Sequence, residues 1–79
     1  MGISMKDISM VNVVVDKNKY RRLLKEKNLH QYDISRIAGI PEVSLSTLIN
    51  AKTSNLNGLY LYRIAKILGC TIEDLLKEI

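Results

Sequence analysis

Apolar residues recur three and four positions apart from Asp16 to the end of the chain, whereas the first fifteen residues, MGISMKDISMVNVVV, show no such period. The first pattern is that of amphipathic helices; in the second, Val11, Val13, Val14 and Val15 are β-branched and favour an extended backbone. The period predicts five helices. DKNKYRRLLKEKN opens on Asp16, a good N-cap, and sets Tyr20, Leu23, Leu24 and Lys27 at helical spacing against a heavily basic face before Asn28 and Leu29 end it. QYDISRIAG puts Ile34, Ile37 and Ala38 on one side, Asp33 in the first turn where the helix dipole favours an acid, and Gly39 at the stop. PEVSLSTLIN starts at Pro41, whose missing amide hydrogen costs nothing in a first turn, and turns Leu45, Leu48 and Ile49 inward. Asn57 caps GLYLYRIAKILG, where Leu61, Ile64, Ala65 and Leu68 share a face and Gly69 ends the run. Thr71 caps IEDLLKEI, with Ile72, Leu75 and Leu76 inward, its acids early and its lysine late.

These elements describe an all-α protein: a compact bundle over residues 16–79, preceded by an arm over residues 1–15. The helices are mostly too short to be stable alone, so each depends on the shared core. A strand near residues 10 to 15 would have an exposed edge able to pair with a second copy; the other reading is an arm lying on its own domain. A chain of 79 residues buries only ~60% of its unfolded surface, which allows one core and no large internal pocket.

Charge sharpens the picture. Residues 17–66 hold ten Lys/Arg against three Asp/Glu, so the net +4 is concentrated in the middle of the chain. Such a surplus points to a polyanion such as nucleic acid, or to a membrane surface, although solvated lysines produce the same count. No apolar run approaches the ~20 residues that cross a bilayer, and no secretory signal opens the chain, so a membrane partner is not expected. The lone Cys70 forms no intramolecular disulfide, is read as a buried small hydrophobe, and fits a reducing, cytoplasmic setting. One histidine, one cysteine and eight scattered acids supply no nucleophile–base pair, no metal-ligand spacing and no phosphate loop. Neither an enzyme, a cofactor, a metal site nor a small-molecule substrate is expected.

The second and third helices are joined by Gly39-Ile40. Glycine permits a tight turn and the following aliphatic plugs the angle between the helices, the composition of a helix-turn-helix. LHQYDISRIAGIPEVSLSTLINAK followed by LYLYRIAKILGCTIEDLL resembles the Cro and phage-repressor type of helix-turn-helix domain, the xenobiotic-response-element family. Gln31, Gly39, Asn50, Lys52, Ala65, Leu68, Gly69, Leu75 and Leu76 fall in the family's register together. The resemblance implies a lambda-repressor-like five-helix bundle that binds double-stranded DNA as a transcriptional regulator, ordinarily a repressor and a homodimer, with the final helix or the valine arm as the interface.

The same resemblance implies that Gln31 opens the second helix on a phosphate and that Asn50, Lys52 and Thr53 clasp the backbone after the third. It places Glu42, Val43 and Thr47 at base edges, Ser46 beside them, and Ser44 at a phosphate. The residues agree about the face: with Leu45, Leu48 and Ile49 inward, Glu42, Val43, Ser46, Thr47 and Asn50 remain to project. Arg36 and Lys52 lead the basic rim, while most charges on the first helix read as a solvated face. The four tyrosines read as half-buried core rather than base-stacking groups, and His30 as a solvent-facing or capping residue. Pro41 stands where the family has a hydroxyl cap, and Ala51 where glycine is common. Glu42 brings negative charge towards the phosphates, and no Arg, Gln or Asn lies early in the third helix. Glu42 and Val43 favour a rival, the same fold used as a protein-interaction module or antirepressor; Gln31, Asn50, Lys52 and the basic middle of the chain oppose it.

Overall fold

The computed structural model describes residues 13–52 and 56–78. Within them β1 (Val13–Val15) leads into α1 (Lys17–Glu26), α2 (Gln31–Ala38), α3 (Glu42–Asn50) and α4 (Gly58–Leu68), and the chain closes with a 3₁₀ turn (Glu73–Leu75) and β2 (Leu76–Glu78).

Local chemistry sets the helix ends. The Asp16 carboxylate accepts the Lys19 N–H at 3.1 Å and the Asn57 carbonyl oxygen of the side chain accepts that of Tyr60 at 3.1 Å, so α1 and α4 both begin on side-chain caps. α1 ends where Asn28 takes a left-handed conformation at φ +56°, a region asparagine tolerates better than most residues. The Leu29 N–H then bonds the Leu24 carbonyl at 2.9 Å. At the end of α2, Gly39 sits at φ +68°, which lets the Gly39 and Ile40 N–H groups both reach the Ser35 carbonyl. The Ser35 hydroxyl donates to the Ile40 carbonyl and braces the turn. Ile40 is buried, filling the angle between α2 and α3 as the turn composition predicts.

The core is one cluster: Tyr20 and Leu24 from α1, Ile34 from α2, Leu45, Leu48 and Ile49 from α3, Leu61, Ile64, Ala65 and Leu68 from α4, joined by Val15, Ile40 and Leu75. Every inward position predicted for α3 and α4 is buried. Cys70 is half-buried against this cluster. Burial first, and then the Asp74 charge, push its thiol above the ordinary range, which keeps it protonated near neutral pH.

The chain departs from five helices at its end. The predicted helix IEDLLKEI is a single 3₁₀ turn followed by a strand; Ile79 lies outside the described residues. Thr71 and Asp74 do form a reciprocal cap, each side chain accepting the other's N–H at 3.1 Å. That cap starts one turn, closed by the Leu75 N–H on the Ile72 carbonyl at 2.9 Å. The Leu75 carbonyl then accepts the Asp16 N–H at 2.8 Å, and the chain joins β1 in an antiparallel pair that sets Val13 opposite Glu78, Val14 opposite Lys77 and Val15 opposite Leu76. An eight-residue helix has little stability of its own, and the unpaired valine edge offers its end a ladder instead. The edge foreseen as a docking site for a second copy is thus occupied on this side by the protein's own C-terminal segment. Val13–Val15 form the strand expected near residues 10 to 15; residues 10–12, with the rest of the arm, lie outside the described residues.

Other positions differ as well. Ile37, expected inward, is 55% exposed, at the rim of a recess that it lines with Tyr62, Arg63 and Ile67 of α4. Of the tyrosines, Tyr20 is fully buried and Tyr60 half-buried, but Tyr32 and Tyr62 lie largely in solvent.

Candidate nucleic-acid interface

α3 buries Leu45, Leu48 and Ile49 and leaves the rest of its surface outside. Val43 and Thr47, one turn apart, form the crest of that exposed side. Val43 is 80% exposed, an unusual position for a large aliphatic residue. On one flank of the crest an open recess is lined by Gln31, Tyr32, Glu42 and Ser46 together with Val43 and Thr47. On the other, Ser44, Asn57 and Tyr60 line a second recess that the same two residues share. The helix that sequence singled out is therefore an exposed ridge with Gln31 beside its first turns.

Hydrogen bonding shows what each side chain can still offer. The Thr47 hydroxyl donates to the Val43 carbonyl at 2.9 Å, which commits its proton and leaves its oxygen as an acceptor and its methyl as an apolar contact. The Asn50 amide donates to the Ser46 carbonyl at 2.9 Å and faces the Ser46 hydroxyl at 3.4 Å. To bond a phosphate it must give up or share one of those hydrogens. Arg36 donates to the Asp33 carboxylate at 3.0 Å, although its side chain is mostly in solvent. Asp33 also accepts the His30 N–H at 2.8 Å, and these two donors, the backbone one first, hold its carboxyl below the usual range. The His30 imidazole makes no cap hydrogen bond; it stacks on Tyr32 with ring centres 5.4 Å apart.

Pro41 is the N-cap of α3 and supplies no side-chain cap; Glu42 occupies the first turn, where it complements the dipole. The helix ends without strain at Ala51, whose φ of −59° and ψ of 137° are ordinary for any L-residue, so the glycine common there is not required.

Residues 19–79 match the model of the Cro/C1-type HTH DNA-binding domain. The chain belongs to that family. Neither the curated proteins nor the solved structures searched contain a match. Membership makes this a DNA-binding domain of regulator type with double-stranded DNA as its partner, a family of binding domains rather than enzymes. Among the described residues no cluster of His, Cys, Asp and Glu is placed to hold a metal ion, and no helix is long and apolar enough to cross a membrane.

Within this Cro/C1-type domain the structure brings Gln31, Glu42, Val43, Ser46 and Thr47 together on one face. Ser44 lies on the opposite flank of the ridge. Asn50 and Lys52 lie at its far end, beside β1 and the start of α1. Arg36 is exposed on the last turn of α2, paired with Asp33, and is not among the residues lining these recesses. Thr53 lies outside the described residues. Tyr32, Asn57 and Tyr60 line the ridge although sequence gave them other roles; position next to Gln31 was the available sign for Tyr32.

Proposed function

We propose that this Cro/C1-type domain is a sequence-specific transcriptional repressor that inserts α3 into the major groove. The observation that carries the proposal is the shared recess in which Gln31 meets Glu42, Val43, Ser46 and Thr47 along an exposed helical ridge. A helix fits the major groove of a duplex, and its outward side chains reach base edges there. Val43 and the Thr47 methyl suit a thymine methyl; the Thr47 oxygen and Glu42 accept from an adenine or cytosine amine. Gln31, Arg36, Ser44, Asn50, Lys52 and Thr53 serve the phosphates. Direct readout is then mainly by acceptors and apolar groups, and discrimination draws also on groove shape and the basic rim. A bound domain of this size obstructs a promoter by occupancy alone, which favours repression over activation. One helix-turn-helix reads one half-site, so the working unit is a homodimer on a pseudo-palindrome with half-sites ~34 Å apart.

Selection from random duplex, followed by a mobility shift of the selected site over a salt series, tests the proposal. A binder gives a two-fold symmetric site and loses affinity with a log–log slope of roughly −0.9 per phosphate contacted. No shift at low salt refutes it. That result would favour the rival reading, a protein-interaction module, for which the 80% exposure of Val43 beside the Glu42 carboxylate is the specific support.

A further inference from the structure

The end of the recognition ridge opens into a recess of about 390 Å³, which Asn50 and Lys52 line together with residues that the function above does not use. Its wall is the terminal sheet, and its polar lining is Lys17, Asn18, Asn50, Lys52 and Lys77, with no acidic residue among the lining side chains. Three lysines from three distant parts of the chain thus line one recess: the first residue of α1, the segment after α3, and the middle of β2. The two ion pairs among the described residues are Lys19 with Asp74 and Arg36 with Asp33; none of the three lysines takes part. Three like charges around one concavity repel one another, and an anion seated among them relieves that repulsion.

Strand register accounts for the position of Lys77. Opposed residues in an antiparallel pair share a face, so Lys77 stands on the side of its partner Val14, and both line the recess. A fifth helix in place of β2 would not set the residue there. Asn50 and Lys52 tie the recess to the face proposed for DNA.

We propose that this recess is a phosphate-binding site for the DNA backbone, in which Lys17 and Lys77 join Lys52 to hold a phosphodiester just beyond the bases facing α3. The proposal rests on the DNA-binding reading and adds the terminal sheet to the contact surface. A phosphate contact carries charge but no sequence information, so it strengthens every duplex alike.

The test measures binding of a non-specific duplex across a salt series by the wild-type chain and by Lys77→Ala, Lys17→Ala and Lys25→Ala. Lys25 is an exposed lysine of α1 that does not line the recess and controls for net charge. Lys77 and Lys17 are likewise exposed, and a thermal melt of each variant verifies folding. Expected are shallower slopes for Lys77→Ala and Lys17→Ala, by up to about 0.9, the loss of the phosphodiester they share, with Lys25→Ala at the wild-type slope. A wild-type slope for Lys77→Ala, or an equal change in all three variants, overturns the site while leaving DNA binding intact. Failure of the wild-type chain to bind at low salt overturns the DNA reading itself.

Discussion

Tyr20→Phe should stabilise the protein. The Tyr20 ring lies in the middle of the core at 2% exposure, and its hydroxyl, cut off from solvent, has no hydrogen-bond partner among the described residues. Such a hydroxyl gives up its bonds to water on folding, at about 1–3 kcal/mol, while the ring around it is well placed. Phenylalanine keeps the ring and removes the orphaned group; the small gap left by the oxygen offsets part of the gain. A net stabilisation of about 1 kcal/mol is expected, which for a domain of this size raises the melting temperature by roughly 4–8 °C. A second readout follows from ionisation. Burial pushes the Tyr20 phenol up to about 12, from 10 in the unfolded chain. A group whose folded pKa is raised gives stability that is complete below pH 10 and is lost as pH climbs through 12. The advantage of the variant should therefore widen between pH 10 and 12, where the wild-type chain must ionise a buried phenol or unfold to do so. Thermal melts followed by circular dichroism at pH 7 and at steps up to pH 12 measure both effects. A melting temperature at or below wild type at pH 7 would show that the hydroxyl contributes to the fold, and would refute the argument.

Four further substitutions probe the other structural claims. Asp74 is held below the usual carboxylate range first by the Thr71 N–H, then by the Thr71 hydroxyl and Lys19, and Asp33 likewise by His30 and Arg36. Their depressed folded pKa values give stability that is present above the unfolded value near ~3.9 and is lost as pH falls through the folded ones, so Asp74→Asn should flatten the acid limb of a urea-unfolding series from pH 6 to 2.5. Gly39→Ala meets no atom within 4 Å but forces a side chain to φ +68°, and should lower stability by about 1 kcal/mol in a thermal melt. Leu75→Ala removes a buried side chain between the 3₁₀ turn and β2, and should cost ~2–5 kcal/mol by denaturant titration. Glu42→Gln takes a negative charge off the proposed DNA face, and should tighten non-specific duplex binding roughly two- to fivefold at low salt, the ~0.4–1 kcal/mol of one exposed charge.

The four α-helices were legible because their own residues carry every signal that defines them. Asp16 and Asn57 cap, Gly39 and Gly69 stop, and the stripes from Leu45 to Ile49 and from Leu61 to Leu68 pack as their spacing implies. IEDLLKEI carries equally good local signals, including a cap that forms, and still yields one turn and a strand. What decides there is a pairing across more than sixty residues, Val13 with Glu78, and no window of sequence contains both partners. Ile37 misled for a related reason: its spacing does not tell how far the neighbouring α4, which lines a recess with it, covers the side chain.

The candidate site divides along the same line. That Glu42, Val43, Ser46 and Thr47 project follows from helical geometry once the buried stripe is known, and the resemblance to Cro-type domains brought Gln31 to them. Which hydrogens those side chains keep free does not follow: Asn50 turns its amide to Ser46 and Arg36 gives one of its five N–H donors to Asp33, partnerships with neighbours that periodicity treats as independent. Lys77 is the sharper case. On a fifth helix it would be one more solvated charge near the C-terminus; on β2 it shares a recess with Lys17 and Lys52. The pairing that displaced the helix thereby adds a cation to the end of the recognition ridge, so the one element misread from local pattern is also the one that enlarges the positive surface offered to a duplex.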